Sequence, residues 1–332
     1  MSGVKIGISF DGFATFSEAL AIAREAEGAG ATSLWMAEHL GYRDPLISCL
    51  AFVQATHSAT VVPTAISPYL RNPVPLAMAM ATLAEAAPGR VALAVGVGNP
   101  LFLAEAGITI EKPVRAMREY VEALRGLWKG EAQTMPGALL YRLNGARMAF
   151  QPPLPIPVYL APMKEQMLKL SGRSADGVVL SGGLSPGFSK HSLDIVLQAA
   201  RDAGRDPASL RTASYIFFLA CEDERAAMEK VRRKLAFVMR NRFIDDNIRF
   251  SGIPIDQEAI IAAISRRDID AAAREVPDEA VEAFAIWGSR RRCAAQLERY
   301  VAAGIREPVL LLAGEASDRH ESLAAVREFA TA

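Results

Sequence analysis

Val91-Ala92-Leu93-Ala94-Val95-Gly96-Val97-Gly98-Asn99 is a nearly continuous apolar run that ends on two glycines and an amide. A strand with one wet face alternates apolar and polar residues, whereas a strand covered on both faces has no need to. The run therefore predicts a parallel strand buried on both sides. Upstream, residues 73–87 carry apolar positions at helical spacing and stop at Pro88-Gly89; downstream, residues 112–128 form a strongly amphipathic helical pattern.

The same unit repeats outward in both directions. Strands are expected at 4–10, 33–37, 59–66, 91–97, 157–160, 177–180, 212–221 and 308–312. Helices are expected at 17–29, 45–57, 73–87, 112–128, 164–174, 186–203, 224–240, 290–303 and 320–330. Two stretches break the rhythm. Residues 130–151 hold Met135-Pro136-Gly137 and then a β-like segment, which predicts a small hairpin insertion. Residues 241–278 are helical in composition and predict a second insertion, over the barrel mouth. With eight strands and no composition break between the halves, the expectation is an α/β fold, a closed (β/α)8 TIM barrel in a single domain over 1–332. An open doubly wound sheet would carry a glycine fingerprint after its first strand. That turn reads Phe10-Asp11-Gly12-Phe13-Ala14, which is not one.

Composition excludes several classes. Apolar residues make up 51% of the chain, ample for a large core. Lys plus Arg and Asp plus Glu are 37 each, so the electrostatic footprint of a nucleic-acid binder is missing. No polybasic segment or run of about 18 apolar residues points to a membrane. No charged leader precedes the first strand-like run, so no signal peptide is expected. Cys49, Cys221 and Cys293 are odd in number and far apart, which suits neither a metal site nor a disulfide framework, and the expected compartment is the reducing cytoplasm.

Working residues of such a barrel lie at the carboxyl ends of its strands. Five segments qualify. After the second strand, Glu38 and His39 place an acid beside an imidazole, the means for proton transfer; the structural alternative is a capping Glu38 and a loop histidine. His57 and His191 sit in helical patterns and read as structural. After the third strand, Thr64-Ala65-Ile66-Ser67-Pro68 is built of small residues and would let a flat ring approach the backbone, or is simply a rigid turn. After the fourth, Gly98 and Asn99 offer backbone donors and an amide, a weak signal taken alone. Pro162-Met163 after the fifth strand and Ser181-Gly182-Gly183-Leu184 after the sixth each precede a helix, whose amino terminus suits phosphate. Ser185-Pro186 can equally cap that second helix by itself. Gly182-Gly183 can form an anion nest, which makes this the stronger of the two. Arg290-Arg291-Arg292 reads as a solvated helix start, with contact to an acidic cofactor tail as the alternative.

In order and spacing these segments resemble the bacterial luciferase-like family of flavin and deazaflavin oxidoreductases, and within it the methylenetetrahydromethanopterin reductase-like proteins. The stretches that carry the resemblance are 67–73, 82–85, Gly89-Arg90, 96–99, Gly107-Ile108, 111–113, 161–163 and 175–178. The resemblance implies F420, or alternatively FMN, lying across the barrel mouth. It implies hydride transfer to or from a small organic substrate; an FMNH2/O2-dependent monooxygenase and a non-catalytic ligand binder are the alternatives. Glu38 and His39 fall where the family has its acid–His pair, with Glu in place of the usual Asp. A non-proline cis peptide would fall at Ala65-Ile66. Asn99 stands where related reductases often have an acid, and it cannot transfer that proton. The cofactor phosphate would lie at Pro162-Met163 and Ser181–Leu184. The family also implies a homodimer, for which the apolar helices around 51–53 and 78–86 are candidates, although barrel packing explains them equally well.

Overall fold

The computed structural model describes residues 4–331. Its strands are β1 (Gly7–Phe10), β2 (Ser33–Ala37), β3 (Thr60–Thr64), β4 (Leu93–Gly96), β5 (Val158–Ala161), β6 (Gly177–Leu180), β7 (Arg211–Ala220), β8 (Ala285–Gly288) and β9 (Glu307–Leu312). All pair in parallel, in the order β3-β2-β1-β9-β7-β6-β5-β4. Bridges Val61–Val91 and Ile66–Val95 join β3 to β4 and close the ring. The eight-stranded (β/α)8 barrel is thus the observed fold, and all four residues of β4 are buried, as a strand covered on both faces requires.

One strand was not anticipated. β8 lies outside the ring and pairs only with the last four residues of β7, Phe217–Ala220. Four residues are too few to show a period, and their partner is distant in sequence. The stretch 130–151 is a loop excursion with one antiparallel bridge, Gln133–Ala146, in place of a full hairpin. The stretch 241–278 is helical as expected, with helices Asp245–Ser251, Gln257–Ser265 and Ile269–Arg274.

The βα turns that carry the site share one construction. Asp44, Asn72, Asn99 and Ser185 each cap the helix that follows β2, β3, β4 or β6, and each is followed by Pro at the first helical position. The side chain satisfies a first-turn amide, and proline fixes φ where no N–H is needed. Four loops at the barrel mouth are thereby held at both ends.

Inside the barrel Trp35 is fully buried and donates from Nε1 to Ser33 Oγ at 2.8 Å. Ser33 in turn donates to Glu307 Oε1 at 2.6 Å. The Trp35 ring meets Tyr159 and Tyr215 edge-on. Of the helices considered for a dimer contact, Phe52, Val53, Leu83 and Ala84 are buried against the barrel, while Ala51 is half-buried. The exposed apolar side chains there are Ile47, Leu50 and Met78.

Glu27 ties the end of helix Phe16–Gly28 to the turn before β3. Burial alone would raise its pKa, but the amides of Ser58, Ala59 and His57 and the Ser58 hydroxyl lower it to about 2. A depressed carboxyl stabilises the fold fully above its unfolded pKa of 4.5 and loses that contribution as pH falls through 2. Replacing Glu27 with Gln should therefore cost about 1–2 kcal/mol at neutral pH, discounted for solvent screening. It should also flatten the decline in thermal stability between pH 4.5 and 2; an unchanged acid limb would contradict this.

Candidate active site

At the carboxyl ends of β2 to β6 lies a cavity of about 370 Å3. Its wall includes Ala37 at the end of β2, Ala65 just past β3, Gly96 at the end of β4 and Ala161 at the end of β5. These small residues are neighbours across the ring. A Cβ placed on Gly96 would lie 2.8 Å from Ala65 Cβ and 3.2 Å from Ala161 Cβ. The result is a shelf on which a flat ring can rest close to the backbone.

The cis peptide is Thr64-Ala65, one residue earlier than expected at Ala65-Ile66. The reason is register. Ile66 already belongs to the ladder with β4, its N–H donating to Ala94 O and its carbonyl accepting from Gly96 N, whereas Thr64 is the last residue paired to β2. Beneath the shelf Thr64 Oγ1 and Tyr215 Oη are 2.8 Å apart. Ser67 donates from Oγ to Val97 O at 2.7 Å and sits 3.3 Å from where a Gly98 Cβ would be. Gly98 has φ +94, so both its backbone and this close approach call for glycine. Asn99 spends its Oδ1 as the cap of helix Pro100–Glu105, accepting from Leu101 N.

Glu38 and His39 are not hydrogen-bonded to each other. Glu38 accepts from Ser67 N at 2.8 Å and from Arg71 Nε at 2.5 Å, and Arg71 Nη2 reaches Asp44 at 2.6 Å. With its side chain only 5% exposed and both oxygens engaged, Glu38 clamps the loop after β3 to that after β2. Nor does it cap a helix; Asp44 does that. Burial opposes the Asp44 carboxylate, but Arg71 and the Ile47 and Leu46 amides hold its pKa below the usual value.

His39 is oriented by the main chain. Its Nδ1 lies 2.9 Å from Asp11 O. A carbonyl only accepts, so Nδ1 carries the proton and Nε2 is left free. Phe13, Tyr42 and Phe102 surround the ring at centroid distances of 5.7, 6.4 and 5.9 Å.

The phosphate-ready segments are rearranged relative to expectation. Pro162 has no N–H, and Met163 precedes the helix; the free amides of that terminus belong to helix Glu165–Ser174, whose N-cap Lys164 makes no side-chain cap. Helix Pro186–Asp202 is capped instead by Ser185 Oγ on Phe188 N, so its terminus is satisfied from within. What stays available is the turn before it. The amides of Gly182, Gly183 and Leu184 donate to no described residue, while Gly183 O accepts from Asn247 Nδ2 and Leu184 O from Tyr300 Oη. Asn247, fully buried, also accepts from Ser185 N. It locks the turn from the 241–278 segment and had no signal in sequence beyond its polarity.

A second cavity, of about 490 Å3, adjoins the first through shared residues Met163, Lys164, Ser181 and Phe243. His191, read from sequence as structural, lines it and stacks on Phe250 at 5.4 Å. Arg290 and Arg292 meet Glu321, Glu328, Glu224 and Glu282, and so are not simply solvated.

A closed parallel barrel with a ring-sized shelf, a free imidazole nitrogen and unbonded amides at its carboxyl face is the architecture of a cofactor-dependent enzyme of the (β/α)8 class. A sequence model described as luciferase-like monooxygenase matches residues 4–307, and the chain belongs to that family. It is 28% identical over 289 residues to the 5,10-methylenetetrahydromethanopterin reductase of Methanolobus tindarius, covering 86% of this chain and 87% of that protein. It is 30% identical over 296 residues to the F420-dependent glucose-6-phosphate dehydrogenase of Mycolicibacterium fortuitum, covering 82% and 85%. The solved coenzyme F420-dependent tetrahydromethanopterin reductase of Methanopyrus kandleri superposes with a TM-score of 0.89 over 98% of both chains at 22% identity, a likeness of fold.

Proposed function

We propose that this chain is an F420-dependent oxidoreductase that moves a hydride between the deazaflavin and a small organic substrate. The observation that carries the reading is the Ala37–Ala65–Gly96–Ala161 shelf in a cavity that Ser181 also lines, with the unbonded Gly182–Leu184 amides in the turn that follows Ser181: a place for a flat ring and a place for a phosphate. Both curated relatives named above fit it, one of them F420-dependent by name. When bound, the cofactor supplies the hydride chemistry. The protein's residues do the rest. Ala65, Ile66, Ser67 and Gly98 shape the ring site, and Glu38 and Arg71 hold that loop in place. Met163, Ser181, Gly182, Gly183 and Leu184, with the uncapped terminus after Lys164, take the phosphate end. His39 Nε2 accepts a proton from an alcohol-type substrate or returns one, its Nδ1–H anchored on Asp11 O throughout. The segment 241–278, within one domain over 1–332, sets substrate specificity. The family name supports a second reading, an FMNH2- and O2-dependent monooxygenase on the same shelf.

Titration of the purified protein with F420 and FMN, followed by fluorescence, tests this. Saturable F420 binding tighter than FMN binding is expected. Tighter FMN binding would favour the monooxygenase, and binding of neither would leave a ligand-binding relative. We further infer a homodimer through the exposed Ile47, Leu50 and Met78, and a cytoplasmic location supported by three free thiols.

A further inference from the structure

Arg240 directly follows helix Glu224–Met239 and precedes Asn241, which lines the central cavity. The chain on either side of it closes over the proposed phosphate turn: a Cβ on Gly183 would meet Val238 Cγ1 at 3.1 Å and Ile244 Cδ1 at 3.3 Å. The guanidinium stacks over the half-exposed Phe237 ring, 3.7 Å from its centroid.

Nearby cations are neutralised by carboxylates. Arg71 has Glu38 and Asp44, Lys164 has Asp245 and Asp246, and Arg242 has Glu258. Arg240 differs. Among the described residues no ion pair or hydrogen bond reaches it; Glu105 acts on it only at a distance, too weakly to undo the lowering of its pKa by burial. A partly desolvated charge without a partner is unfavourable, and in a folded protein such a group is normally paired. A guanidinium supported on an aromatic face, on the residue next to the cavity-lining Asn241, suits the fork geometry of carboxylate and phosphate.

We propose that Arg240 is the anion-recognition residue of this site, binding a phosphate or carboxylate carried by the cofactor. The inference rests on the F420 reading and deepens it. F420 bears a phosphodiester and glutamyl carboxylates, for which the neutral composition of the chain offers no clear cationic site, and Arg290 and Arg292 are already paired with carboxylates.

The test compares Arg240→Gln and Arg240→Lys with wild type in equilibrium binding of F420 and of its deazaflavin nucleoside core, which lacks both phosphate and tail. Arg240→Gln should weaken F420 roughly tenfold, the usual worth of a charged hydrogen bond. It should leave the core within about twofold, and Arg240→Lys should recover part of the loss. F420 stripped of its glutamates separates the two sources. A loss retained on it assigns the phosphate; a loss that disappears assigns the tail. Equal weakening of F420 and its core, or no weakening of either, overturns the proposal. If wild type binds FMN instead, the F420 reading falls while the FMN–riboflavin pair still reads Arg240. If wild type binds none of these, both fall. Unchanged thermal unfolding of the variants excludes misfolding as the cause.

Discussion

Replacing His39 with alanine is expected to lower hydride-transfer turnover by about 10²- to 10⁴-fold, the range associated with loss of a positioned acid–base group. Cofactor affinity should change by less than about threefold. The asymmetry follows from geometry. His39 Nδ1 is committed to a main-chain carbonyl, and its ring packs among Phe13, Tyr42 and Phe102, so Nε2 is the only nitrogen left for chemistry. The shelf under the ring site is built from other residues. His39→Asn, which keeps a polar group but cannot shuttle the proton in the same way, should rescue little. Steady-state kinetics with F420, paired with fluorescence titration of the same variants, reads both quantities. A variant that loses affinity and turnover in parallel would make His39 a binding residue instead.

The second large effect is steric. Gly96→Val should abolish saturable cofactor binding, a loss of about 100-fold or more, which corresponds to about 3 kcal/mol. Its Cβ alone would come within 2.8 Å of Ala65 Cβ, and its methyl groups would occupy the shelf. Because that crowding also strains the barrel, Ala161→Leu is the companion variant. Ala161 already has a Cβ and faces the same cavity, so the larger side chain fills ring space with little backbone conflict. Folded Ala161→Leu protein that still binds F420 normally would refute the shelf. Glu38→Gln should behave differently from both, because Glu38 clamps Ser67 and Arg71 at the edge of the site.

Much of the barrel was legible because its signals are local. The buried run at 91–97, the Ser185-Pro186 helix start and the Pro88-Gly89 helix stop each constrain their own segment whatever the rest of the chain does. β8 was illegible for the opposite reason: Ala285–Gly288 is a strand only because the end of β7 lies beside it. The site divides in the same way. Ala65, Gly98 and the Gly182-Gly183 turn are candidates on residue type and position at a strand end alone. That Glu38 turns toward Arg71 and leaves His39 to Asp11 depends on side-chain directions across three loops. The helix terminus judged stronger from sequence proved to be capped by Ser185, and the weaker one proved uncapped at Lys164.

By itself, then, the sequence determined the (β/α)8 alternation and the strand ends at which chemistry would sit, which rest on periodicity and residue type along the chain, and the family resemblance, which rests on the order and spacing of short segments. Only the tertiary structure decided which amides stay unbonded, which nitrogen of His39 is free, that Asn247 and Tyr300 lock the Gly182–Leu184 turn and that, among the described residues, no carboxylate pairs with Arg240. Hydrogen-bond satisfaction and charge pairing are properties of groups brought together from distant positions, and no local pattern encodes what is left over after that pairing is complete.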